Sequence, residues 1–188
     1  HGRASYQLQT SYDENPLITH PGIGSVVNHE LNRIGDLPSY ITISGQARRA
    51  GYLGQKSEAY FVAKPGDRDP YLAFPTGISK TRGDKRLEIL ARYNQRAARR
   101  LGGDEAKAVQ TANKEAVKLM RSPALKAFEL AKESPDTLGR YGDSDFGRGT
   151  LIARKLVESG VRFVQIYSGG TGNQQSWDGH NNINHNHR

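Results

Sequence analysis

A chain of 188 residues with 27 lysines and arginines, 19 acidic residues and a mean hydropathy of -0.72 is long enough for one ordinary domain or part of a larger one. It contains no cysteine, which excludes disulfides and thiolate metal sites and leaves histidine and carboxylate as the ligands any metal would need. No run of about 18 apolar residues occurs, so no segment reads as a membrane-spanning helix.

The net charge of +8 is concentrated in one stretch. Residues 80–126 hold 13 basic and 5 acidic residues, a surplus equal to that of the whole chain. The sequence begins at His1 instead of Met and stops within a motif-like stretch at Arg188. We therefore expect a single partial domain over residues 1–188, an internal piece of a longer protein, with a basic helical insertion at residues 80–133.

Residues 1–15 are polar and run into Asp13-Glu14-Asn15-Pro16, which predicts a loop. Residues 26–34 place Val27, Leu31 and Ile34 at helical spacing, with Gly35 as the expected C-cap. Residues 39–44, Ser-Tyr-Ile-Thr-Ile-Ser, are rich in β-branched and aromatic side chains and predict a strand. From Gly45 to Ser79 glycine and proline interrupt the pattern, with Tyr60-Phe61-Val62 as a strand-like island. Surface excursions of this length tend to be functional or partly disordered.

Residues 84–101 form the clearest predicted helix. Leu87, Leu90, Ala91, Asn94, Ala98 and Leu101 gather on one face, and Lys85, Arg92, Arg96 and Arg99 on the other. Gly102-Gly103 end it, and Asp104-Glu105 open a second helix at its positive N-terminal end. The expected inward stripe there is Val109, Ala112, Ala116 and Met120. Ser122-Pro123 restarts a short third helix anchored by Leu125 and Phe128. Ser134-Pro135 and Tyr141-Gly142-Asp143 read as a linker. Residues 150–159 predict a helix with Ile152, Ala153, Leu156 and Val157 inward, closed by Gly160. Val161-Arg162-Phe163-Val164-Gln165-Ile166-Tyr167 then reads as a strand buried on both faces. Helix–strand, helical insertion, helix–strand is the order of an α/β fold with a parallel or mixed central sheet flanked by helices.

After that strand, Ser168-Gly169-Gly170 leads to Trp177-Asp178-Gly179-His180. If the segment is extended, Asp178 and His180 leave the same side with Cα atoms roughly 6.7 Å apart. A carboxylate and an imidazole so placed can share one ion at roughly 2.0–2.2 Å each. A catalytic zinc needs a third protein ligand, and His185 and His187 follow nearby. The plain alternative is that Asp178 and His180 cap a turn while Trp177 plugs the core edge. The arginines of the basic helix, Arg92, Arg96 and Arg99, can neutralise phosphate or sulfate oxygens, and a solvated helix face is the alternative reading. Tyr93 is the one aromatic among the bases of residues 80–126, too few for a stacking platform, which argues against a nucleic-acid partner. Gly169-Gly170-Thr171-Gly172 lacks the Lys-Ser/Thr ending of a phosphate-binding loop. Ser25 follows Gly24 at a helix start, where an N-cap role is favoured over that of a nucleophile.

Several blocks together resemble a known family. Tyr141-Gly142-Asp143, Phe146-Gly147-Arg148, the run from Leu151 to Gly170 and Trp177-Asp178-Gly179-His180 are similar to the bacterial family catalogued as domain of unknown function 1501. Pro21-Gly22-Ile23-Gly24-Ser25 and Leu37-Pro38-Ser39-Tyr40-Ile41 resemble its earlier blocks. The likeness is close over residues 141–180 and looser over 46–119. It implies the fold of the alkaline phosphatase and sulfatase superfamily, extracytoplasmic hydrolases in which a divalent metal pair activates a hydroxyl-type nucleophile. Asp178 and His180 match the type of one metal-ligand block, with His187 as a third ligand. The nucleophile block and a later Asp-His block would fall outside this chain.

The resemblance thus implies a piece, inactive alone, of a periplasmic or extracellular metal-dependent hydrolase of phosphate or sulfate esters. Its cofactor would be a zinc, calcium or manganese ion, and its substrate a small anionic ester or a sulfated polysaccharide. The alternative function is a non-catalytic module docking acidic polysaccharide through Arg92, Arg96 and Arg99.

Overall fold

The computed structural model describes residues 2–31, 33–67, 76–101 and 104–168, without the side chains of residues 101, 104–110 and 112. The chain forms two compact units, one from residues 1–67 and 126–188 and the other from residues 68–125.

The first unit is built on β1, Tyr40–Ile43, where every residue is buried. β-branched and aromatic side chains suit a strand that packs on both faces. β2, Tyr60–Val62, and β3, Phe163–Ile166, pair with β1 in parallel on either side, giving the order β2-β1-β3. Alternation along β1 sends Tyr40 and Thr42 to one face and Ile41 and Ile43 to the other. Two helices cover those faces. α2, Ile23–Glu30, approaches Tyr40 so closely that a Cβ on Gly24 would stand 2.3 Å from the ring. α6, Asp145–Glu158, lies over Ile43 and Ile166 at Gly149 and buries Leu151, Ile152 and Leu156. The protein is α/β with a small open parallel sheet, as the element order implies.

Several details differ from the sequence reading. Residues 2–10 are helical, forming α1, Gly2–Thr10, rather than a loop. The helix is held by its tertiary anchor: the Tyr6 hydroxyl accepts from His20 N at 2.9 Å and meets His20 Nδ1 at 3.0 Å, while the Arg48 guanidinium lies 5.2 Å over the ring. Local periodicity carries no trace of such contacts. α2 starts three residues earlier than expected and ends before Leu31, which adopts extended backbone at the C-cap. Its inward side is Gly24 and Ser25, because the Tyr40 ring occupies the space a larger side chain would need, while Leu31 and Ile34 are exposed.

The expected linker contains a helix, α5, Pro135–Tyr141. Ser134 accepts from Thr137 N at its N-cap, and Pro135 fits the first turn, where no donor is needed. Ser144 caps α6 in the same way through Gly147 N, so α6 begins five residues before the expected start. Arg148 ties the intervening turn to Asp143 at 3.2 Å and Asp145 at 2.9 Å. Within α6, Leu151 takes the inward place expected of Val157, which is 57% exposed. β3 is half-buried at every position. Among the described residues it is an edge strand, and β1 is the strand buried on both faces.

The second unit holds α3, Lys80–Leu101, and α4, Asp104–Arg121, packed together with Arg121 Nη2 on Asp84 Oδ1 at 2.7 Å. That ion pair joins the N-terminal part of α3 to the last turn of α4, so the helices run antiparallel. On α3, Gly83, Leu87, Asn94 and Ala98 turn inward, whereas Leu90 and Ala91 are exposed. On α4, Asn113, Val117, Leu119 and Met120 take the inward side and Ala116 is exposed. The α3 stripe keeps its expected direction and is narrower, while on α4 Met120 is inward as expected and the side chains of Val109 and Ala112 lie outside the described residues, as does that of Leu101 on α3.

Candidate functional site

Functional chemistry in open α/β sheets gathers past the carboxyl ends of the strands. β1 leaves the sheet there through Ser44, whose φ of 61° lies in the left-handed region that few serines occupy. Its backbone is held by donation from Ser44 N to Val62 O at 2.9 Å. Gly45 follows against the Tyr167 ring, where a Cβ would stand 2.2 Å from Cγ, so no other residue fits without displacing that ring.

The chain then runs through Gln46 to Ala59, with 3-10 turns at Gly51–Leu53 and Gln55–Ser57. The Glu58 carboxylate fastens the segment by accepting from Ala50 N at 3.1 Å. Between this segment and Leu17, Ile18 and Thr19 opens a cleft of about 920 Å³. Thr42, Gln46, Arg49 and Glu58 supply its polar lining, and Tyr52 and Phe61 part of its apolar lining. The hydroxyls of Thr42 and Ser44 are buried without a hydrogen-bond partner among the described residues. Such groups cost roughly 1–3 kcal/mol each, which a polar ligand reaching them would recover.

A chain of three side chains links β1 to β3 and the residue that follows it. The Tyr40 hydroxyl donates to Gln165 Oε1 at 2.7 Å, and Gln165 Nε2 donates to the Tyr167 hydroxyl at 2.9 Å. Burial, with smaller contributions from Tyr167 and Glu58, pushes the Tyr40 hydroxyl well above its ordinary value of 10.0. Tyr167 is also raised by burial, against the opposing charge of Arg48. Both phenols are therefore neutral near pH 7. Because Tyr167 accepts from Gln165, its own proton is left to be donated elsewhere.

The expected metal ligands Asp178, His180 and His187 lie outside the described residues, as do Trp177 and residues 169–172. Among the described residues, no group of three or more His, Asp or Glu side chains could hold a metal ion. Arg92, Arg96 and Arg99 stand exposed on α3. Ser25 is neither cap nor accessible nucleophile: Gly22 is the N-cap of α2, and Ser25 is fully buried with an unpartnered hydroxyl. Thr42 and Arg49 are the side chains of the cleft that sequence reasoning missed as site residues. The available signal was an Arg48-Arg49 pair within a few residues of a β-branched strand, inside a segment already marked as a functional excursion.

The full chain, residues 1–188, matches the family model described as Protein of unknown function (DUF1501), and it belongs to that family. No curated protein and no solved structure matches it. Among the described residues, no helix is long and apolar enough to cross a membrane.

Proposed function

We propose that this DUF1501 chain carries the anion-recognising rim of a periplasmic or extracellular ester hydrolase of the alkaline phosphatase and sulfatase superfamily, acting on phosphate or sulfate esters. One observation carries the reading. The cleft over Thr42 of β1 and Phe61 of β2 combines the Arg49 guanidinium with the buried, unpartnered hydroxyl of Thr42. A guanidinium can hold two oxygens of a tetrahedral anion at once. The Thr42 hydroxyl, lacking an internal partner, can donate to a third. Glu58 shares the lining, with its Oε1 accepting from Ala50 N.

A divalent ion, held by Asp178 and His180 with His187, would supply Lewis-acid activation of the ester and its nucleophile. That ligand set comes from the family resemblance. The described residues do not form a metal site by themselves.

The test uses the full-length protein with p-nitrophenyl phosphate and p-nitrophenyl sulfate, alongside elemental analysis. Asp178→Ala with His180→Ala should abolish both metal content and turnover. Arg49→Met should keep the metal and raise KM at least about tenfold, the loss of one charge-assisted contact. Unchanged metal content in the first variant sinks the metal ligation; unchanged KM in the second sinks the anion rim.

A further inference from the structure

α3 presents an outward stripe that hydrolysis does not use. Arg82, Arg86, Ile89, Tyr93, Arg96 and Arg100 recur at alternating spacings of four and three, and all are exposed. That spacing keeps them on one side of the helix, opposite the inward Gly83, Leu87, Asn94 and Ala98. At 1.5 Å per residue the stripe is roughly 27 Å long. Its centre is apolar: Ile89 is 48% exposed and Tyr93 68%, with Leu90, 47% exposed, at the flank. Arginines stand at both ends.

α3 carries Lys80, Arg82, Lys85, Arg86, Arg92, Arg96, Arg99 and Arg100 against Asp84 and Glu88, and Asp84 is already engaged by Arg121. A merely solvated face has no use for isoleucine, leucine and tyrosine grouped at its middle. A soluble polyanion such as an acidic polysaccharide would engage the arginines and leave the aliphatic side chains in water. An anionic lipid surface engages both. Apolar side chains enter the boundary between headgroups and acyl chains, and the long arginine stems let guanidinium groups reach the phosphates.

We propose that the outward face of α3, with Ile89 and Tyr93 between Arg86 and Arg96, docks this protein on an anionic phospholipid surface. The site lies within the second unit and is independent of the cleft.

The test is co-sedimentation of the full chain with vesicles of phosphatidylglycerol and phosphatidylcholine in equal parts, with pure phosphatidylcholine vesicles and immobilised heparin as comparisons. Wild type should pellet with the anionic vesicles and not with the neutral ones. Arg86→Gln with Arg96→Gln should lower the partition coefficient roughly 25-fold, about fivefold per cation removed. Ile89→Ser with Tyr93→Ser should lower it at least roughly tenfold, with circular dichroism unchanged. Tyr93→Trp in a Trp177→Phe background should keep binding, and its emission should shift to the blue on anionic vesicles. Wild type that stays in the supernatant overturns the proposal. So does a serine pair that sediments like wild type while heparin retention tracks only the arginines, which would assign the face to a soluble polyanion. If either pair loses helix content, the Tyr93→Trp emission decides, and no shift overturns the docking.

Discussion

Gly24→Ala is a single-methyl test of how α2 meets the sheet. The added Cβ would lie 2.3 Å from Tyr40 Cζ and within 2.7 Å of two further ring atoms. That ring cannot retreat easily, because it is 1% exposed, its hydroxyl bonds Gln165 at 2.7 Å, and its edge meets Phe163 at 5.5 Å between centroids. Overpacking of this kind costs about 3 kcal/mol at the upper end of its usual range. Replacing a helical glycine by alanine returns about 1 kcal/mol. The net expectation is a loss of about 2 kcal/mol, or roughly 4–8 °C in melting temperature for a chain of this size. Urea denaturation followed by circular dichroism measures it. The control is the same substitution in a Tyr40→Leu background, where the ring atoms are gone and Gly24→Ala should be neutral or mildly stabilising. A coupling of about 2–3 kcal/mol is expected between the two positions. A Gly24→Ala protein as stable as wild type, or a coupling below about 0.5 kcal/mol, refutes the close approach.

The Tyr40 hydroxyl makes stability depend on pH in a defined direction. Its value is raised in the folded state by burial above the ordinary 10.0, so the folded chain holds that proton more tightly. The contribution is complete below pH 10 and is lost as pH climbs beyond it, at about 1.4 kcal/mol per pH unit for one such group. Denaturation curves between neutral pH and the alkaline limb should show that slope, and Tyr40→Phe should flatten it; an equal slope in the variant refutes the assignment. Two serines should respond in opposite senses. Ser144→Ala removes the N-cap bond to Gly147 N and should cost about 1 kcal/mol. Ser25→Ala removes a buried hydroxyl without a partner and should be neutral or stabilising by up to about 1 kcal/mol. Equal losses in the two would show that Ser25 has a hydrogen bond after all.

The strands of the sheet were legible because their signal is local. Tyr40-Ile41-Thr42-Ile43 and Phe163-Val164-Gln165-Ile166 are short β-branched and aromatic runs bounded by turn residues. Their rank in the sheet was not legible, since which strand is central depends on pairing between distant segments. The helix faces were misread wherever space, not polarity, set the inward side. Gly24 and Ser25 face the sheet because a tyrosine ring fills the gap, and Val27, Leu31 and Ile34 only imitate a core stripe. α1 escaped notice because Tyr6 is anchored by His20, fourteen residues on. For the site, the sequence pointed to Asp178 and His180, which stand in a recognisable motif. The cleft is assembled from Leu17, Thr42, Arg49 and Phe61, brought together by folding with no shared pattern among them.

The central place of β1 has a consequence for synthesis on the ribosome. β2 leaves the exit tunnel soon after β1 and can pair with it at once, but the other edge of β1 waits for β3. Tyr40 and Phe163 are partners separated by roughly 120 residues, and pairings at such range form slowly because a long loop must close first. Until Phe163–Ile166 emerges, a strand whose side chains are all destined for burial stays open along one side. An unpaired apolar edge of that kind recruits other strands, so the nascent chain is a natural client for a chaperone during the interval in which the basic helices are being made.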